Sequence, residues 1–137
     1  MSKIWMAGDL HLGHRNLVEM GWRERGFERK LLDMWNACVM PNDTVVLLGD
    51  TAFSRIAYWF QVVGDMPGDK VLLLGNHDQN RRGWYQKFGF KDVIPFNRVI
   101  FIDDTMGKIM VSHLPAFAKA LHEADDRFHP LVRRFGK

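Results

Sequence analysis

Four apolar runs in this chain each end abruptly in side chains that bind metals or move protons. "KIWMA" runs into "GDLHLGH" at residues 8–14, "TVVLL" into "GD" at 49–50, and "KVLLL" into "GNHD" at 75–78. "KIMV" ends in "SHLP" at 112–115. Short apolar runs bounded by turn residues read as strands buried on both faces, the kind that parallel sheets use. Such strands must stop, and Gly, Asn and Asp are where they usually stop. One ending of this kind therefore says little. Four endings rich in Asp, Asn and His say more, because the carboxyl edge of an open α/β sheet is where sites lie.

The remaining pattern places helices between these strands. Residues 24–39 carry Phe27, Leu31, Leu32, Met34, Trp35 and Cys38 at roughly helical spacing, and Pro41 ends the run. Residues 56–63, with Tyr58, Trp59 and Phe60, predict a helix packed on a sheet, and residues 82–88 a short one. "GDLHLGHRN" reads as a loop. "KDVIPF", "RVIFID" and "KIMVSH" read as three strands, with "DDTMGK" as a hairpin turn between the last two. Further helical segments are expected at 116–124 and 130–135. Strand and helix alternate at first, as in βαβ units with a mainly parallel sheet, whereas the later strands follow one another closely and are expected to be antiparallel. The fold class is therefore α/β: a layered fold with a mixed β-sheet flanked by helices. No linker or repeat divides the 137 residues, so one domain over 1–137 is expected.

Composition narrows the function classes. The chain is 47% hydrophobic and 26% charged, which suits a packed globular core rather than disorder. No apolar run approaches the roughly 20 residues of a membrane span. The N-terminus has one Lys and a very short apolar run, unlike a signal peptide. A single cysteine, Cys38, excludes an internal disulfide framework and fits a reducing cytosol, so a cytoplasmic location is expected. Cys38 is expected as a small core residue, and Trp22, Trp35, Trp59, Trp84 and Phe117 mostly as core. The net charge of +3 permits an anionic partner. Its basic spots are Arg23, Arg25, Arg29 and Lys30; Arg81 and Arg82; and Arg133, Arg134 and Lys137.

The residue types after the strands suit one chemistry. Two divalent cations about 3.5–4 Å apart need hard oxygens and imidazole, and one carboxylate can bridge them. Asp9 and His11 are two apart on a segment expected to be extended, so both can face one ion. Asp50, arriving from mid-sheet, suits bridging. Asn76 offers an oxygen that adds no charge. Gly49 and Gly75 let backbone pass close to the site. Such a metal pair lowers the pKa of a bound water toward ~7. His77, beside Asn76, is placed to give a proton to a leaving oxygen, with Asp78 to orient it.

"GDLHLGH", "GD", "GNHD" and "SHLP" resemble, in order and spacing, the signature blocks of the calcineurin-like metallophosphoesterase superfamily, which read D-x-H, G-D, G-N-H-D and a histidine on a later strand. The matched blocks cover residues 8–115, and the small size resembles the single-domain bacterial or phage type. The resemblance implies Asp9 and His11 as ligands of a first metal, Asp50 as the bridge, and Asn76 and His113 as ligands of a second. It implies His77 as the histidine that assists the leaving group, with Asp78 as its carboxylate partner. His14 matches a polar position near the phosphate, and Arg15 and Arg81 are candidates to clamp it. The implied cofactors are two divalent ions, manganese first, with iron, zinc, cobalt or nickel as substitutes. The implied activity is phosphatase or phosphodiesterase hydrolysis of a phosphate mono- or diester by metal-bound hydroxide, with nucleotides and nucleic acids among the substrates.

One block departs from the pattern. The family closes its site with G-H-x-H on a further strand, and no such motif is present. His122 and His129 lie in "ALHEADDRFHPLVRRFGK" without it, His129 being a candidate replacement ligand. The sequence resembles a member cut just short of that strand: a fragment, a truncated protein or one completed by another chain. Weaker metal binding and an open sheet edge favouring homo-oligomers are then expected. The alternative function is a catalytically weak domain of the same kind that binds a phosphorylated ligand or partner protein. A nucleic-acid-binding module is a third reading, carried only by the basic charge, since no aromatic–basic stacking pattern accompanies it.

Overall fold

A computed structural model describes residues 1–96, 98–104 and 107–113. The expected helices at 116–124 and 130–135, the tip of the expected hairpin turn, Pro115, Phe117, His122, His129, Arg133, Arg134 and Lys137 lie outside the described residues.

The elements run β1 (Ile4–Ala7), α1 (Arg15–Glu19), α2 (Phe27–Cys38), β2 (Thr44–Leu47), α3 (Ile56–Asp65), β3 (Asp69–Leu73), α4 (Arg82–Gln86), β4 (Asp92–Ile94), β5 (Ile100–Asp104) and β6 (Gly107–Val111). Strands β1 to β4 form one sheet in sequence order, every pair parallel. Strands β5 and β6 pair antiparallel in a sheet of their own. The α/β layered fold is as expected, with one difference in strand direction. β4, from "KDVIPF", is parallel to β3, because α4 supplies the crossover that a parallel connection requires. Among the described residues the antiparallel pairing is confined to β5 and β6. Helix α1 begins at Arg15, inside the last two residues of the segment 8–16 that reads as loop.

The register explains the core. Ala7, Leu47, Leu72 and Val93 lie side by side across the sheet, as do Trp5 and Val45 on the same face. Against them pack Trp35 from α2, Val39 just after it, Phe60 and Val63 from α3, and Tyr85 from α4. Phe60, fully buried, has the rings of Trp84, Tyr85, Phe88 and Phe90 around it at 5.0–6.0 Å. Burying such a ring contributes about 1.5–3 kcal/mol, and each well-placed aromatic pair about 0.5–1.5 kcal/mol more.

Two aromatic and sulfur positions differ from expectation. Cys38 is exposed. Trp35 takes the inward face of α2 and Val39, the residue that ends it, is also buried, while Cys38, the last helical residue, lies on the exposed side. Trp22 is 72% exposed, in the turn between α1 and α2.

A polar staple holds the sheet edge. Asp43, 2% exposed, accepts the Lys3 backbone N–H at 2.8 Å, the Trp5 indole N–H at 3.0 Å and the Met40 N–H at 3.0 Å. The Met40, Trp5 and Lys3 donors hold its carboxyl down at about 2. Lys70, although on the core face, sends its ammonium out to the carbonyls of Met66 and Gly68 at 2.6 and 2.9 Å. No helix among the described residues is long and apolar enough to cross a membrane.

Candidate metal centre

Parallel strands in register bring their carboxyl ends together. The chain leaving β1 stays beside the chain leaving β2. Asp9 N–H donates to the Gly49 carbonyl at 3.2 Å, His11 N–H to the Asp50 carbonyl at 3.0 Å and Leu12 N–H to the Thr51 carbonyl at 2.9 Å. The ends of β2 and β3 touch through the two glycines that the sequence marks for this purpose. A Cβ on Gly75 would sit 2.2 Å from Asp50 Oδ1, and one on Gly49 would sit 2.3 Å from the Gly75 nitrogen. Both distances exclude any other residue without backbone movement.

Asp9, His11 and Asp50 each bring a ligand atom within 4.8 Å of the others. His11 Nε2 lies 3.7 Å from Asp9 Oδ1. The backbone route differs from the extended segment expected. Asp9, His11 and Asp50 have φ of 51°, 52° and 50°, all left-handed. Such a conformation costs of order 1–3 kcal/mol in a non-glycine residue and persists where its surroundings enforce it, often at sites. Here the hydrogen bonds between the two loops do the enforcing. Burial pulls the His11 pKa below its usual value, and the carboxylates of Asp50 and Asp9 partly restore it.

A second set of donors meets Asp50 at its Oδ2. His113, just beyond β6, has Nδ1 2.5 Å from the Leu48 carbonyl. A carbonyl only accepts, so Nδ1 carries a proton, and in the neutral ring Nε2 presents its lone pair. That Nε2 lies 2.7 Å from Asn76 Oδ1 and 3.5 Å from Asp50 Oδ2. Three lone-pair atoms thus face one another. They repel unless a proton, a cation or a turned amide group comes between them.

Charge makes the same demand. The side chains of Asp50 and His113 are 6% and 7% exposed. Among the described residues, no Lys or Arg pairs with the carboxylate of Asp9 or Asp50. A buried carboxylate without a cation is costly. The donor set of oxygen and imidazole suits divalent Mn, Fe, Co, Ni or Zn. The residues present therefore fit a metal centre.

The remaining candidates are distributed unevenly. His77 is exposed; its backbone N–H donates to Asp50 Oδ1 at 3.1 Å. Asp78 does not hydrogen-bond the His77 ring. Its Oδ2 accepts the N–H groups of Asp50 at 2.9 Å and Gly75 at 2.7 Å, tying the ends of β2 and β3 together. Burial raises the Asp78 pKa, against the pull of those two donors. His14 Nδ1 lies 3.0 Å from His11 Nδ1, inside the site. Arg15 lines a cavity beside His14, whereas Arg81 is exposed at the start of α4 and lines none of the described cavities.

Two functional neighbours escape sequence reading. Phe53 stacks on His11 at 4.4 Å and on His14 at 4.2 Å, and leans on His77 at 5.0 Å, so one ring braces three imidazoles. Its only sequence signal is a place three residues after Asp50. Arg23 forks onto the carbonyls of Asp9, at 2.7 Å, and Leu10. It holds the loop from outside and has no distinguishing spacing at all.

These features define a class: an α/β protein with a candidate metal centre at the carboxyl edge of a parallel sheet. The model of the calcineurin-like phosphoesterases matches residues 2–131, and the chain belongs to that family. It is 34% identical over 83 residues to the gene 66 protein of Mycobacterium phage D29 and 37% over 84 residues to that of phage L5. Those matches cover 58% and 57% of this chain but 42% and 41% of the phage proteins. An uncharacterized protein of Methanocaldococcus jannaschii, MJ1445, is 29% identical over 109 residues, which are 74% of this chain and 57% of that one. The chain therefore spans about half the length of these relatives. A crystal structure of the protein of unknown function AQ665 from Aquifex aeolicus superposes with a TM-score of 0.75 at 25% identity, covering 95% of this chain and 70% of that one.

Proposed function

We propose that this chain hydrolyses a phosphate mono- or diester at a dinuclear centre, with Asp9, His11 and Asp50 on one divalent ion and Asp50, Asn76 and His113 on the other. The observation that supports it most is the position of Asp50. One buried carboxylate sits between two donor sets, with neither Lys nor Arg beside it among the described residues. The bound ions would supply charge neutralisation at the phosphate and a water acidified toward pH 7. Manganese is the first ion to try, with iron, zinc, cobalt and nickel as alternatives.

The chain's own groups supply the rest. Hydrolysis joins the oxygen of water to phosphorus and breaks the bond from phosphorus to the leaving oxygen, which takes up a proton. His77 is the candidate to deliver that proton. Its exposed ring can reach a substrate, the Asp50 carboxylate fixes its backbone, and Phe53 limits its rotation. His113 is held by the Leu48 carbonyl in the tautomer that leaves Nε2 free to bind a metal.

The test is hydrolysis of bis-p-nitrophenyl phosphate by the full chain with added manganese, with and without a chelator, together with metal content, against Asp50→Asn. Chelator-sensitive turnover is expected, with both metal and turnover lost in the variant. Unchanged metal content in the variant would remove the bridging role. A folded, metal-loaded chain without turnover would favour the binding-domain reading instead.

A further inference from the structure

A tight turn folds the two histidines of "HLGH" into contact. His14 N–H donates to the His11 carbonyl at 3.0 Å, which closes the turn over Leu12 and Gly13. Gly13 stands at the third position with φ of 77°, a value that glycine adopts at no steric cost. Leu12, fully buried and bridged to Ala52, anchors the turn in the core. His14 is thereby brought back beside His11, with the two Nδ1 atoms 3.0 Å apart.

That distance is a hydrogen bond, so one nitrogen donates and the other accepts. The two rings are within 11° of parallel, their centroids 5.3 Å apart. Phe53 lies 4.4 Å from His11 and 4.2 Å from His14, within 12° and 2° of parallel. Were Phe53 between the two imidazoles, their separation would approach the sum of those distances. It is much shorter, so Phe53 covers both rings from one side and roofs the N–H···N bond against water. A hydrogen bond shielded in this way is stronger than one in water.

The direction of the proton follows from the other edge of His11. Its Nε2 is turned to Asp9, 3.7 Å from Oδ1, within the donor cluster. For Nε2 to serve as a ligand its lone pair must be free, so the neutral ring carries its proton on Nδ1. His14 then accepts at its own Nδ1 and keeps its proton on Nε2. The other imidazole of the centre is held through the same atom, since His113 gives its Nδ1 proton to the Leu48 carbonyl. A carbonyl fixes one direction only, whereas a histidine can also donate. In the ion-free chain the proton can therefore run from His14 to His11, leaving the His11 Nε2–H aimed at the carboxylates.

We propose that His14 is a positioning residue for the metal centre: beneath Phe53 it accepts the Nδ1 proton of His11 and so holds His11 in the tautomer that turns an Nε2 lone pair to the ion. The inference rests on the metal centre proposed above and adds the group that orients one of its ligands.

The test is NMR on the full chain with histidines labelled with heavy nitrogen, metal-free and loaded with zinc, which is diamagnetic. With zinc bound, His11 is expected to carry its proton on Nδ1 and His14 on Nε2, with scalar coupling between the two Nδ1 atoms. His14 protonated on Nδ1 in the zinc-loaded chain, or no coupling there, would overturn the proposal. Calorimetry adds the affinity. His14→Ala should bind zinc about 10–100-fold more weakly than wild type, the usual cost of removing the partner of a metal-ligating histidine. His14→Asn, whose amide oxygen accepts in place of Nδ1, should recover most of that loss. Unchanged affinity in His14→Ala, or an equal loss in His14→Asn, would overturn the proposal and leave the metal centre standing. A wild-type chain that takes up no zinc would remove the metal centre, and the role of His14 with it. The wild-type spectra decide the matter whether or not a variant folds.

Discussion

At the scale of single residues, His77 and Asp78 divide labour in a way their adjacency hides. Asp78 faces inward and binds two backbone N–H groups, while His77 faces solvent beside Phe53. His77→Ala should therefore leave metal content unchanged. It should slow esters with poorly acidic leaving alcohols by about 10²–10⁴-fold, the usual worth of a placed general acid. Esters of p-nitrophenol should lose far less, because that leaving group departs without a proton. Equal losses for both ester types would contradict the role. Asp9, His11, Asp50, Asn76 and His113 were legible in the sequence because each follows an apolar strand, and strand ends are local patterns. Phe53 was not, nor was the hold of Arg23 on the Asp9 and Leu10 carbonyls, although Arg23 stands out as a basic residue. What they do depends on distances across the fold, which leave no periodic trace.

At the scale of elements, the Asp43 staple joins the end of α2 to β1 and predicts a pH effect. Its carboxyl is held at about 2 in the folded chain, against ~3.9 in an unfolded one. A depressed pKa stabilises the fold above the unfolded value, and that stability is lost as pH falls from about 4 toward 2. Asp43→Asn leaves a backbone or indole donor without its acceptor and should lower Tm by several degrees at pH 7. The difference between wild type and variant should shrink as melts are repeated from pH 5 down to pH 2.5. A constant difference would mean that the charge of Asp43 contributes nothing. The helices α2, α3 and α4 were readable from periodicity and the strands from apolar runs. The direction of β4 was not, because its close succession with the strands after it suggests antiparallel pairing, whereas the crossover through α4 lays it parallel to β3.

At the scale of the whole molecule, an ion at the proposed centre would couple metal binding to fold stability. The donors converge only when β1, β2, β3 and β6 are in place, so an ion binds the folded chain in preference to the unfolded one. At a hundredfold excess over Kd that linkage contributes about 2.7 kcal/mol. For a chain of this size, manganese should raise Tm by roughly 5–15 °C. A chelator should reverse the shift and Asp50→Asn should lack it. An equal shift in that variant would place the ion elsewhere.

The scattered origin of the donors also bears on how the protein is made. Asp9 and His11 leave the ribosome early, Asp50 and Asn76 later, and His113 last of the five. A nascent chain that has reached only Asp50 holds one half of the centre and nothing to complete the other. Under the proposed two-ion reading, loading the second ion would follow synthesis of the β5–β6 hairpin, and would depend on the free metal available at that moment rather than at the start of translation.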